Sequence, residues 1–226
     1  ELIRRKDGGE AFGLATPLIK KADGTKFGKT ESGNIWLDPK RTSPYEFYQF
    51  WLNAADSDTE NYIRIFTLKS QEEIEALEVE HKAEPHLRKL QKALAEDITV
   101  RVHGEEAKNA VIEITKLFMA KDAPALIGGY EDNKLLGLIG ASGSASLEIS
   151  KNEIESGVGV VELLTTRSKM FESNGDAMKM LKGNGIAFNK QKVTDPKMKL
   201  EMSHFINSKY LLLQKGKNDY WLVKVV

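Results

Sequence analysis

The 226-residue sequence has no cysteine. Disulfides, thiolate zinc sites and cysteine nucleophiles are therefore excluded, which agrees with a reducing compartment. No run approaches the roughly 18 apolar residues of a membrane-spanning helix. The start, Glu1-Leu2-Ile3-Arg4-Arg5, lacks the apolar stretch of a signal peptide. A cytoplasmic chain without membrane association is the expectation. The first residue is Glu and not Met, as in a processed or truncated chain. No internal repeat is visible. His81, His86, His103 and His204 show neither metal-ligand spacing nor the Glu of a metalloprotease helix, so no metal site is expected.

Net charge is also absent, with 33 basic and 33 acidic side chains, but the balance is uneven along the chain. From residue 151 to 226 there are 13 basic against 8 acidic side chains, so the first 150 residues carry the compensating acidic surplus. Between residues 167 and 199 the ratio is eight to three. That is a modest footprint for a polyanion, and equally the composition of a lysine-rich solvated surface.

What is present describes a multidomain α+β chain. Residues 11–20 form a short apolar run punctuated by Gly and Pro, which predicts a strand at the edge or end of a sheet. A Gly- and Lys-rich loop follows. Ser43-Pro44-Tyr45-Glu46 supplies an N-cap, a first-turn proline and a capping-box glutamate. The aromatic helix it opens, with Phe47, Tyr48, Phe50, Trp51 and Leu52, is apolar on more than one face and so belongs between neighbours. A second helix is expected over 59–67. Ser70 and Glu73 box the start of a third, Pro85 interrupts, and Leu87, Leu90 and Leu94 continue at helical spacing to a break at His103-Gly104. Ala107, Val111, Ile114 and Phe118 form a further apolar face. Residues 44–120 thus read as one helical domain. Glycines scattered over 121–157 predict a linker with some structure of its own, permitting varied orientations of the C-terminal unit. That unit, residues 158–226, reads as small and α+β: helices near 160–164 and 175–182, a strand at 186–188, a turn at Asn189-Lys190, and a closing hairpin of 210–213 with 220–225.

The most suggestive string is Asp23-Gly24-Thr25-Lys26-Phe27-Gly28-Lys29-Thr30. A phosphate-cradling P-loop would need four residues between its first Gly and Gly-Lys-Thr, and Gly24 leaves only three. The following Glu31-Ser32-Gly33 is also no start for an apolar helix. Taken alone, a basic Gly turn is most often a solvated turn. Lys26-Phe27-Gly28-Lys29-Thr30 nevertheless resembles the Lys-Met-Ser-Lys-Ser signature of class I aminoacyl-tRNA synthetases. The surrounding Gly13-Leu14-Ala15-Thr16-Pro17-Leu18-Ile19, Ile35-Trp36-Leu37-Asp38 and the block from Thr42 to Asn53 look like tyrosyl-tRNA synthetases.

That resemblance implies an ATP-activating loop at Lys26, Phe27, Gly28, Lys29 and Thr30. The Lys26 and Lys29 ammonium groups would be catalytic there, stabilising charge on the α-phosphate and departing pyrophosphate while a carboxylate attacks. It makes residues 1–43 the end of a class I α/β catalytic domain and 44–120 an α-helical anticodon-arm domain. Residues 158–226 resemble the small RNA-binding domain first known from ribosomal protein S-four. Arg167, Lys169, Lys179, Lys182, Lys190 and Lys192 are its candidate RNA ligands. Where that family often has two arginines this chain has Met178 and Lys179, a point charge in place of a planar bidentate grip, which predicts weaker and more salt-sensitive contact.

The resemblance further implies ATP with magnesium as substrate, no tightly bound cofactor, and tyrosine and tyrosine tRNA as the other reactants. No His-Ile-Gly-His type signature occurs in the sequence, so a complete active site is not expected. The parent family is homodimeric through its catalytic domain, and this chain alone is expected to be monomeric, to bind RNA and to catalyse nothing. A second reading, a stand-alone RNA-binding or ribosome-associated module, accounts for residues 167–199. It leaves the loop and the aromatic block without a reason.

Overall fold

The computed structural model describes residues 1–22, 24–25, 27, 34–217 and 219–226. A short helix, α1 (Leu2–Asp7), buries nothing and is held by Arg4 and Arg5 donating to Glu1 at 3.1 and 2.8 Å. The strand expected over 11–20 does not form: Phe12 and Leu14 are 94% and 98% exposed. A strand needs a neighbour for its backbone groups, and among the described residues nothing pairs along 11–18.

Local chemistry then starts the helices. Ser43 caps α2 (Pro44–Leu52) by accepting from the Glu46 N–H at 3.2 Å, while Glu46 accepts from the Ser43 N–H at 3.0 Å. After α3 (Asp56–Phe66), the same box recurs at Ser70 and Glu73 to open α4 (Gln71–Ala83). Pro85 begins a single 3-10 turn, and α5 (Lys89–Met119) follows as the central element packed by α2, α3 and α4. Its helical geometry breaks at Gly104, with φ 88° and ψ 168°, where the sequence places a stop. Tyr48, Trp51, Ile63, Leu90, Leu94, Ile114 and Phe118 are buried in one core.

Residues 121–157 are not a linker. They form α6 (Ala123–Gly129), α7 (Asp132–Ser142), β1 (Ser146–Ile149) and α8 (Lys151–Glu155). Ile127, Leu135 and Ile139 join the helical core, and α7 lies along α5. The glycines serve packing. Gly143 ends α7 at φ 61°, and a Cβ there would come within 2.9 Å of Ser43 Cβ at the cap of α2.

The remaining elements are α9 (Val160–Glu162), which runs into a π turn over Leu163–Arg167, α10 (Asn174–Lys182), β2 (Ile186–Phe188), β3 (Gln191–Lys192), a 3-10 turn (Met202–His204), β4 (Tyr210–Lys215) and β5 (Asp219–Val225). They complete a five-stranded sheet in the order β1-β5-β4-β2-β3. β1 runs parallel to β5, from Ser146 opposite Leu222 to Ile149 opposite Val225, and the other pairs are antiparallel. Asn189 and Lys190 both take positive φ, 48° and 69°, which is the twist a two-residue hairpin needs.

Because side chains alternate along a strand, the sheet has two apolar faces. Leu211, Leu213 and Val223 pack with Leu163, Leu181 and Phe188 in the C-terminal core. Tyr210, Leu212, Tyr220 and Leu222 point the other way and belong to the core of the helical unit. Burial of Leu212 and Leu222 contributes about 2 kcal/mol each. The varied orientations expected from a linker are replaced by a docked C-terminal unit.

Candidate functional site

Lys26, Gly28, Lys29 and Thr30 lie outside the described residues, and the geometry begins with the residues that flank them. The Lys21 N–H donates to Thr25 O at 2.8 Å, the Gly24 N–H to Lys21 O at 2.9 Å, and the Phe27 N–H to Ile19 O at 3.2 Å. Gly24 makes this turn at φ 83°, a left-handed conformation that glycine adopts without steric penalty. One residue into the turn, the Ala22 N–H donates to Asp58 Oδ1 at 2.5 Å. Asp58 lies in the first turn of α3, so a helix end holds the near side of the loop.

The family resemblance assigns Phe27 to the nucleotide, but the structure turns its ring into the helical unit. Its centroid lies 5.1 Å from Tyr62, 5.2 Å from Phe66, 5.8 Å from Trp51 and 6.1 Å from Phe50. Aromatic pairs at these separations contribute about 0.5–1.5 kcal/mol each beyond the area they bury. The aromatic richness of α2 thus serves two ends, the core of the helical unit and a socket for Phe27.

Phe27 also borders a cavity of about 590 Å³ with Trp36, Phe47, Trp51, Phe66 and Arg101 in its walls. Its one guanidinium is already engaged, by Asp97 and by the Phe66 carbonyl at 2.8 Å. Arg41 is likewise stacked on Trp36, 3.3 Å from the ring centroid. His103 sets its ring edge-on to Phe47 at 4.8 Å, and burial holds its pKa below the ordinary histidine value. It is a packing residue. Among the described residues, no group of three His, Cys, Asp or Glu side chains is placed to hold a metal.

The second region is the basic side of the C-terminal unit, where the candidate ligands divide. Arg167 is bound to Glu153 and, at 3.1 Å, to Glu162. The Glu153 carboxyl is held at about 2, first by the Ser150 N–H and then by Arg167. With two carboxylates on one guanidinium, Arg167 is no free cation. Lys190 is withdrawn as well. Its Nζ donates to the Phe118 carbonyl at the end of α5 and to Tyr220 Oη at 3.0 Å, 4.3 Å above the Tyr220 ring, and burial lowers its pKa.

Four lysines remain exposed, Lys169, Lys179, Lys182 and Lys192, and no carboxylate pairs with them among the described residues. Lys179 and Lys182 are three residues apart in the last turn of α10, hence on one side of it, while Ala177 and Leu181 face the core. Ser173 starts that helix by accepting from the Asp176 N–H at 3.1 Å. Met178 is 38% exposed and adds no charge. Lys192 is on edge strand β3, at a cavity of about 280 Å³ shared with Phe188 and His204. The His204 Nδ1 accepts from the Glu201 N–H at 3.0 Å.

Sequence reasoning missed Asp58, because an acidic residue in a first turn reads as ordinary helix-start chemistry. It also missed Lys209, paired with Asp132 at 2.6 Å, and Asn207, whose Nδ2 donates to Gly128 O at 2.8 Å. They join the turn before β4 to α6 and α7, and neither carries a local signal.

Residues 1–120 match the family described as tRNA synthetases class I (W and Y), and residues 140–223 match the tyrosine–tRNA ligase SYY-like C-terminal domain. The tyrosine–tRNA ligase of Porphyromonas gingivalis is 48% identical over 225 residues, covering 100% of this chain and 52% of that relative. That of Bacteroides thetaiotaomicron is 46% identical over 223 residues, covering 99% and 51%. The chain spans about half the length of the curated relatives it matches.

Proposed function

Since the chain belongs to the class I tRNA synthetases (W and Y), whose model matches residues 1–120, we propose that it is the part of a tyrosine–tRNA ligase that carries the activation loop and the tRNA-binding units. In the whole protein a tyrosine carboxylate oxygen attacks the α-phosphorus of ATP, pyrophosphate leaves, and tyrosyl-adenylate forms. The tyrosyl group then passes to the tRNA. Lys26 and Lys29, with Thr30, serve the first step by stabilising charge on the α-phosphate and the leaving pyrophosphate. Magnesium accompanies ATP as part of the substrate.

The single observation that carries this reading is the likeness to tyrosine–tRNA ligases along the whole chain, in the loop half and the C-terminal half alike. The stand-alone RNA-binding module leaves residues 1–120 without a role. RNA contact falls to Lys169, Lys179, Lys182 and Lys192 on a domain of the S-four type, with the helical unit toward the anticodon arm. The chain is divided as catalytic remnant 1–43, helical unit 44–143 and C-terminal unit 144–226. The intact enzyme is a cytoplasmic homodimer through its catalytic domain, and this chain alone is a monomer that binds RNA without turnover. Tyrosine-dependent exchange of pyrophosphate into ATP tests the proposal. The full-length protein is expected to catalyse it and the 226-residue chain is not; exchange by the chain alone, or none by the full-length protein, would contradict it.

A further inference from the structure

We infer that Phe27 is a positioning residue for adenylate formation and not a nucleotide contact, an inference that rests on the tyrosine–tRNA ligase reading. The ring stands among Trp51, Tyr62 and Phe66, on helices α2 and α3. In sequence it is the immediate neighbour of Lys26 and lies two residues from Lys29. Consecutive Cα atoms are about 3.8 Å apart, so seating Phe27 fixes the chain one residue from Lys26 and two from Lys29 in sequence.

A second tether acts on the same turn. The Ala22 N–H donates to Asp58 Oδ1 at 2.5 Å, and the Phe27 N–H returns to Ile19 O at 3.2 Å. Both attachments lead to α3, one at its first turn through Asp58 and one at its far end through Phe66. The ring is half-buried, and the part left uncovered borders the cavity walled by Trp36, Phe47 and Phe66. Its chemistry is that of an apolar plug. Methionine, the residue in the second position of the Lys-Met-Ser-Lys-Ser signature, is unbranched and apolar and fills such a socket equally well.

The experiment is steady-state ATP–pyrophosphate exchange by the full-length protein with Phe27→Ala, Phe27→Met, Asp58→Ala and Asp58→Asn, alongside transfer of tyrosine from preformed adenylate to tRNA. Misplacing reactive groups by about 1 Å costs on the order of 100-fold. Phe27→Ala is therefore expected to lower kcat for exchange about 10- to 100-fold with the KM for ATP little changed, and to leave transfer intact. Phe27→Met restores kcat. Asp58→Ala lowers kcat in the same sense, and Asp58→Asn, which keeps an acceptor oxygen, does so less.

A raised KM for ATP at unchanged kcat in Phe27→Ala would make Phe27 a nucleotide contact and overturn the inference, as would kinetics identical to the unmodified protein. If Phe27→Ala fails to fold, the other three decide: full kcat in Asp58→Ala, or no kcat in a folded Phe27→Met, overturns it. Absence of tyrosine-dependent exchange in the unmodified full-length protein would instead sink the ligase reading itself.

Discussion

Lys190 Nζ donates to the main-chain carbonyl of Phe118, so a residue of the β2–β3 turn is bound to the last turn of α5. The Phe118 and Tyr220 rings meet at 5.8 Å beside it. These contacts turn the second apolar face of the sheet into an interface with the helical unit.

Lys190→Met removes the donor and leaves the Phe118 carbonyl unsatisfied, at an expected cost of about 1–3 kcal/mol in unfolding free energy. Urea denaturation measures it. Because Lys190 is bound inside the protein, the dependence of RNA affinity on salt is expected to be unchanged in this variant. Lys182→Ala, by contrast, lowers the log–log salt slope by about one. Equal loss of slope in the two variants would return Lys190 to the RNA-binding set.

Leu135, in α7, is fully buried in the helical core. Leu135→Ala is expected to cost about 2–5 kcal/mol of global stability, whereas a residue in a solvated linker would cost under about 0.5 kcal/mol. Gly143→Ala forces a Cβ onto φ 61° and to 2.9 Å from Ser43 Cβ, and is expected to lose at least about 1 kcal/mol. Thermal unfolding followed by circular dichroism checks both.

The Glu153 carboxyl titrates at about 2 in the folded protein against an ordinary 4.5. Its contribution to stability is therefore complete above pH 4.5 and is lost as the pH falls through about 2. Asp132, lowered chiefly by its hydrogen bond from Lys209, acts in the same sense. Melting temperatures are expected to fall across that window, and Glu153→Gln is expected to flatten the fall. An unaltered acid profile in Glu153→Gln would contradict the assignment.

The parts of the fold legible in the sequence are those set by neighbouring residues. Ser43 with Glu46 and Ser70 with Glu73 announce α2 and α4 because a cap is local chemistry. Gly104 marks a break in α5, and the alternation in 210–213 and 220–225 gives the β4–β5 hairpin. By contrast, β1 is four residues long and becomes a strand only through its parallel ladder to β5, far along the chain. The Gly-rich texture of 121–143 concealed α6 and α7, although Leu135 and Ile139 have the i, i+4 spacing of a buried helical face.

In the candidate site, composition alone could not sort the basic residues. Lys179, Lys182, Lys190 and Arg167 look alike in a string. Only the left-handed turn at Asn189-Lys190, and the approach of Glu153 and Glu162 to Arg167, separate internal partners from free charge. Phe27 reads as a member of its motif, and its aromatic neighbours are brought together by α2 and α3, which both pack on α5.

The most direct test of the account is binding of the 226-residue chain to tyrosine tRNA and to an unrelated tRNA, each over a range of salt concentrations. A clear preference for tyrosine tRNA that persists as salt rises is the predicted result. Equal affinities that fall together with salt would mean a non-specific basic surface and would contradict the claim that these units carry recognition for a tyrosine–tRNA ligase.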